Sequence, residues 1–281
     1  MPERPDLEYV VPILDQELRG RVITELRVQK PVVLRVAVPG TPRELLVGRK
    51  LKKVSRRAHF VLFGLSGPLE MVVSPMLAGR FALADAGARA PADLALALAL
   101  ADGRELRYRD DVQMGKVYLI PRGAWDKVPG LAHIGIDVLG PDFSRDAFRA
   151  LARKRRDQVK LFLMDKSALD ALGNAYADEV LWAARLHPKA RVRALADDDL
   201  DRLHDAIVQV LTEARATIAE RRPALDEKLR DFLKVRNRHG QPCPRCGDKI
   251  RRAGVLGHDA FFCPRCQVAP GRASIVDWRR T

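Results

Sequence analysis

Four cysteines constrain this chain more than any other feature: Cys243, Cys246, Cys263 and Cys266 follow the pattern C-x2-C-x16-C-x2-C. A C-x2-C pair sits on a tight knuckle that points two thiolates at one tetrahedral ion. The sixteen-residue spacer has room for a two-stranded hairpin that returns the second knuckle to the first. Four thiolates close the coordination sphere, so the expected Zn2+ is a single structural ion and does no chemistry. His239 and His258 lie nearby but have no open position to fill. Disulfides are the competing reading. The start MPERPDLEYV mixes acids and prolines where a secretion signal would carry a basic start and an apolar run, so a reducing cytosol is expected.

The rest of the chain changes texture along its length. Through about residue 125 it reads as strand-rich, with short β-branched or aromatic runs in KPVVLRVAVP, AHFVLFGL and EMVVSPML. In LALALALADGRELRYRD, leucine alternates with alanine up to Asp102-Gly103 and the alternation resumes at Leu106 and Tyr108. That predicts a hairpin over a type I′ turn. Leu7, Val10, Val11, Leu14 and Leu18 predict a helix ahead of the strands. The Pro- and Gly-rich stretch 121–141 reads as a linker, and helical patterns follow to about Val235. Ser144 is the expected first cap, with Asp142 as its rival, and Gly173-Asn174 falls between two helices. The division expected is 1–125, 126–235 and 236–281.

Charge points to the partner. The chain of 281 residues carries 50 Lys and Arg against 36 Asp and Glu, a net +14. The last 61 residues hold 15 basic and 6 acidic residues, so nine of those charges sit there. A second cluster, RALARKRRDQVK, places Arg149, Arg153, Lys154, Arg155, Arg156 and Lys160 within twelve residues. Such a balance favours a polyanion. No run of about 18 apolar residues is present, so no membrane span and no membrane partner is expected.

Three motifs together resemble the formamidopyrimidine-DNA glycosylase/endonuclease VIII family. They are the opening Met1-Pro2-Glu3, the segment LFLMDKSALDALGNAYADEVLWAARLHP, and the four-cysteine ribbon followed by Gln267. The stretch GNAYADE-x4-A-x2-HP is the most specific of these, and their order matches over about 280 residues. The resemblance implies an α+β fold: an N-terminal helix with a β-sandwich, then a helix-two-turn-helix domain with a β-hairpin zinc ribbon. It implies a base-flipping DNA glycosylase and abasic-site lyase acting as a monomer on damaged DNA, in the cytoplasm at the nucleoid. Pro2, freed by removal of Met1, would be the amine nucleophile and Glu3 the proton shuttle. Asp6 stands where a second Glu is common. Lys160 and Asn174 match phosphate-gripping positions; capping is the competing reading for Asn174.

The departures from that family sit at contacts to DNA. Arg56-Arg57-Ala58-His59 replaces Arg-Arg-Gly-Lys, so His59 takes the place of a lesion-side lysine. In Ser74-Pro75-Met76-Leu77-Ala78-Gly79, Leu77 replaces the methionine wedge. In Asp110-Asp111-Val112-Gln113-Met114-Gly115, Val112 replaces the arginine that reads the orphan base and Met114 a phenylalanine wedge. His258 replaces the ribbon arginine that grips phosphate. These changes predict the family's amine chemistry with altered lesion choice. The alternative is a family-fold protein that binds damaged DNA without turnover. A ribosome- or RNA-associated zinc-ribbon protein is a third reading, which gives the strand-rich N-terminal region no role.

Overall fold

Leu7, Val10, Leu14 and Leu18 recur at helical spacing, and in the computed structural model, which describes residues 2–170 and 172–269, helix α1 (Arg4–Leu18) buries all four. Strands β1 (Ile23–Val28) and β2 (Leu34–Val36) follow, then the short helix α2 (Pro42–Leu46). The segments β3 (Leu51–Arg57), β4 (Phe60–Leu65), β5 (Leu69–Ser74), β6 (Arg80–Asp85), β7 (Leu94–Leu100), β8 (Arg104–Arg109) and β9 (Lys116–Pro121) complete two sheets. One runs β1-β7-β8-β6 and the other β2-β9-β5-β4-β3, antiparallel except for the β2–β9 pair. Leu96, Leu98 and Leu106 from the first sheet share one core with Val61, Phe63, Met71 and Val117 from the second and with Leu14 and Leu18 of α1. This is a β-sandwich with a helix packed on β3.

The alternating leucines of β7 behave as two-fold periodicity requires, with Leu96, Leu98 and Leu100 on the core side. The turn differs from the expected type I′. The Gly103 N–H donates to the Leu100 carbonyl at 3.1 Å, and in this loop only Gly103 has positive φ, at 83°. The loop is therefore a type I turn closed by a left-handed glycine. Asp102 keeps negative φ, and its carboxylate accepts the Arg104 N–H at 3.2 Å.

The chain separates into two units, Met1–Ile134 with Ala214–Leu229 and Gly135–Glu213 with Arg230–Thr281. The segment read as a linker is partly packed: Val128 and Leu131 are buried with Phe60, Leu62 and Ile120 on the outer face of the second sheet.

In the second unit, α3 (Arg145–Arg153) starts at Ser144, whose hydroxyl accepts the Ala147 N–H at 3.2 Å; Ser144, not Asp142, is the cap. The helices α4 (Val159–Met164), α5 (Asn174–Ala183) and α6 (Asp197–Arg221, counted with the first unit from Ala214 on) follow, then the hairpin β10 (Arg251–Val255) and β11 (His258–Phe262). Helical structure stops at Arg221, short of the expected Val235, because Arg222 turns to φ 46° and Pro223 cannot continue the ladder. No helix among the described residues is long and apolar enough to cross a membrane.

The arginine cluster that suggested a polyanion surface is largely paired within this unit. Arg145, Arg149 and Arg153 meet Asp205, Asp201 and Asp197 of α6, and Arg155 meets Asp157 and Asp165. Charges spaced four apart on two helices form one ladder. The Arg149 and Arg145 guanidiniums hold the Asp201 and Asp205 carboxyls below the ordinary carboxylate range.

Candidate functional site

At the N-terminus, Pro2, Glu3 and Asp6 are all buried. Glu3 is the N-cap of α1, and its own N–H donates to Asp6 Oδ2 at 2.7 Å. Asp6 is thus the third helical residue reaching back to the cap, which fixes how Glu3 and Pro2 leave the helix. Pro2 and Asp6 line one small cavity with Leu7, Gly79, Phe81 and Lys228, and Lys228 Nζ donates to the Leu77 carbonyl at 3.2 Å. The root of the Leu77 loop and the chain's first residues therefore meet at the same cavity.

Two loops of the sandwich carry exposed apolar side chains, beside Val32 and Val36 elsewhere in it. Leu77 is 55% exposed, Val112 50% and Met114 44%, unusual values for aliphatic residues. The loop of Val112 and Met114 is held from below by Asp110. Its fully buried carboxylate accepts N–H groups from Val112 (3.2 Å), Gln113 (2.9 Å) and Gly115 (2.7 Å). Tyr108 adds its hydroxyl at 3.5 Å, and burial beside Asp110 pushes that phenol up so that it stays protonated. A Cβ on Gly79 or Gly115 would collide with the Tyr108 hydroxyl, so both loops close over one tyrosine. Asp110→Ala removes the acceptor of three backbone N–H groups and is expected to cost about 3 kcal/mol of unfolding free energy. Denaturant melts read that loss, and cleavage of an abasic duplex should fall with it.

His59 lies in the β3–β4 turn, buried and stacked at 4.1 Å on Phe60, directly after Ala58 at φ 52°. Arg56 donates to the Ala58 carbonyl at 2.7 Å and stands 4.0 Å from Glu8 of α1, which ties this turn to the first helix.

The second unit places Lys160 and Asn174 differently from a surface phosphate grip. Lys160 is fully buried, with its ammonium 2.5 Å from Asp178 Oδ1 and 2.5 Å from the Asp259 carbonyl. Burial works against the charge of both Lys160 and Asp178, and each is opposed by its partner. Asn174 is not the cap; that position is Gly173, and the Asn174 amide donates to Asp259 Oδ1 at 2.8 Å. Arg236 bridges Asp178 Oδ2 at 2.9 Å and Asp259 Oδ1 at 3.1 Å. Glu179, next to Asp178, accepts the consecutive N–H groups of Lys234, Val235 and Arg236 at 2.7–2.9 Å. The adjacent acids of the ADE stretch thus anchor α5 to both α4 and the chain that enters the ribbon. Asp178, Glu179, Arg236 and Asp259 were missed from sequence; their one visible signal is an acid pair inside an otherwise apolar helix.

The ribbon's thiols fit one ion. The four Sγ atoms lie within 4.8 Å of one another, with Cys243–Cys266 at 4.0 Å and Cys246–Cys263 at 3.4 Å. Tetrahedral zinc with bonds of about 2.3 Å sets sulfurs about 3.8 Å apart. Burial opposes ionisation of Cys243, but donors outweigh it: Trp182 Nε1 at 3.4 Å and the Arg245 and Cys246 N–H groups bring that thiol down to about 6. Trp182 therefore supports the metal site, with the Arg245 guanidinium stacked 4.1 Å over its ring. Gln267 accepts the Cys263 N–H at 2.9 Å and donates to the Leu186 carbonyl at 2.8 Å, fastening the ribbon behind α5. His258 is exposed at the hairpin tip, past the two-residue turn Leu256-Gly257 with φ 41° and 84°.

Comparisons with known proteins agree along the chain. Residues 1–117 match the family model described as the formamidopyrimidine-DNA glycosylase N-terminal domain, and residues 134–221 the H2TH domain of the same glycosylase. Residues 240–268 match the zinc finger found in FPG and IleRS. A formamidopyrimidine-DNA glycosylase of Desulforamulus reducens is 34% identical over 278 residues, covering 96% of this chain and all of the relative. Among solved structures, the MutM (Fpg) protein of Thermus thermophilus superposes with a TM-score of 0.82 at 29% identity, over 95% of this chain and 98% of that one. Lactococcus lactis Fpg in complex with DNA containing an abasic site gives 0.85 at 27%, over 95% and 100%.

Proposed function

The chain belongs to the formamidopyrimidine-DNA glycosylase family, and from that premise we propose that it excises damaged bases from DNA through the amine of Pro2. The observation that carries this reading is the shared cavity of Pro2, Asp6 and Gly79, which sets the chain's first residues at the root of the Leu77 loop. A flipped nucleotide leaves a gap in the stack that the exposed Leu77 can fill while its sugar reaches Pro2. The Pro2 nitrogen then bonds to C1′ as the bond from C1′ to the base breaks, and the base departs with a proton. Glu3 moves that proton, and Asp6, holding the Glu3 N–H, keeps its carboxylate aimed. Breaking of the C1′–O4′ bond, with a proton taken up at O4′, turns this adduct into an iminium; the iminium acidifies the C2′ protons, and loss of one expels the 3′ phosphate, which is the lyase step.

Substrate choice follows from the rim of this site. Leu77, Val112 and Met114 are all exposed and all lack a hydrogen-bond donor at their tips. A bidentate base contact is worth about 1–3 kcal/mol of discrimination, and Val112 has none to offer. His59 puts a ring where the family carries a longer ammonium. We therefore assign this protein weak excision of 8-oxoguanine opposite cytosine, relative to its abasic-site cleavage. Opposite-base dependence is expected to be below about fivefold. A panel of 8-oxoguanine, ring-opened purines, oxidised pyrimidines and plain abasic sites, each opposite all four bases at fixed salt, tests this. Efficient cytosine-dependent 8-oxoguanine excision would overturn the specificity. Salt-dependent binding with no cleavage of any substrate would overturn the enzyme.

A further inference from the structure

Asp259 occupies the position in the ribbon where an incoming anion would be expected. Its Oδ1 accepts from Asn174 Nδ2 at 2.8 Å and pairs with the Arg236 guanidinium at 3.1 Å, while Arg252 stands 3.6 Å from Oδ2. An amide and two guanidiniums around one carboxylate are the donor set that receives a phosphodiester. The surroundings leave positive charge over. Lys160, Arg236 and Arg252 face two acids, of which Asp178 is fully buried between Lys160 and Arg236. Asp259 is the acid with a way out, because its side chain is 27% exposed and lines an open cleft with His239, Arg252 and His258.

We propose that the Asp259 carboxylate stands in for a DNA phosphate, and that Asn174, Arg236 and Arg252 bind the backbone only once it is displaced. This rests on the DNA-glycosylase reading above and adds two arginines to the phosphate contacts. The backbone permits the exchange: the Lys160 ammonium grips the Asp259 carbonyl, so the hairpin stays anchored while the side chain turns into the cleft. The exchange is one negative charge for another, so the donors lose nothing. The penalty is the freed carboxylate, which remains within repelling distance of the phosphate that replaced it. The arrangement also answers the loss at the hairpin tip, where His258 has replaced a guanidinium that Arg236 and Arg252 supply from beside it.

Asp259→Asn keeps the shape and an acceptor for Asn174 while removing the charge; Asp259→Gly empties the seat. Binding of each to a duplex carrying a tetrahydrofuran abasic analogue is measured across a salt series, with zinc content and melting temperature alongside. Asp259→Asn is expected to bind about tenfold tighter than the parent, with a salt slope steeper by about one, the signature of one added phosphate contact. Asp259→Gly should move in the same direction, and adding Arg252→Ala to Asp259→Asn should remove most of the gain. Equal or weaker binding, or loss of the zinc ribbon in both variants, makes the carboxylate a strut and overturns the proposal while leaving the glycosylase reading intact. Absence of DNA binding by the parent as well would overturn both.

Discussion

A protein whose Pro2 nitrogen is acetylated, or carried in a peptide bond by a retained N-terminal extension, is expected to lose base excision and strand cleavage by more than about 10³-fold. The reason is electronic. An amide nitrogen delocalises its lone pair into the carbonyl and is no nucleophile, whereas the ring amine of a free Pro2 can form an iminium without losing a second proton. The check is borohydride reduction on an abasic duplex followed by peptide mapping. The free-amine protein should yield a covalent adduct carried by residue 2, and the blocked protein none. Lys228 makes this a stringent test, because its amine lines the same cavity as Pro2. An adduct that survives blocking, or that maps to Lys228, would move the nucleophile to that lysine. Affinity for the duplex should fall far less than turnover, because binding draws on many phosphate contacts rather than on one amine.

Most of the fold was legible because the signals were local. Leucines alternating with period two from Leu96 to Leu100 line one face of a strand, and four thiols at knuckle spacing converge. The type of the 101–103 turn was not legible, since Asp-Gly serves both a type I′ turn and a type I turn closed by glycine. Charge counting placed part of the basic surface wrongly for a different reason. Arg145, Arg149 and Arg153 look like a basic face until Asp197, Asp201 and Asp205, at the same spacing some fifty residues later, are seen to oppose them. Lys160 shows the same limit: its match to a family motif implied a phosphate, while its depth depends on Asp178 and Asp259, which no local pattern brings together. Single residues on loops, such as Leu77 and Val112, could be named as candidates from their motifs, but the loop of Val112 is held by the buried Asp110 beneath it, which no local pattern shows.

Removing the metal is expected to undo the ribbon as a unit, and with it most of the grip on DNA. The ribbon has little else to hold it: the pair β10–β11 spans five residues a side, and its core is Val235, Cys243, Ile250, Phe261 and Cys263. A two-stranded hairpin of that size is marginal in water, while structural zinc contributes about 10–16 kcal/mol in ribbons that fold around it. The loss would spread along the contacts already described. Trp182 loses its Cys243 partner, Gln267 releases Leu186, and the Lys160 ammonium loses the Asp259 carbonyl that helps keep it buried beside Asp178. Either a strong chelator or Cys263→Ser should therefore lower affinity for an abasic duplex at least about a hundredfold and release one zinc ion per chain. The sandwich core of Val61, Phe63, Leu96 and Leu106 contains none of these residues and should keep its β signal, which circular dichroism separates from the ribbon's loss. Full DNA affinity and an unchanged melt in metal-free protein would show that packing against α5 holds the ribbon without the ion. Because zinc binds thiolates and displaces their protons, the metal should also be lost more readily as pH falls.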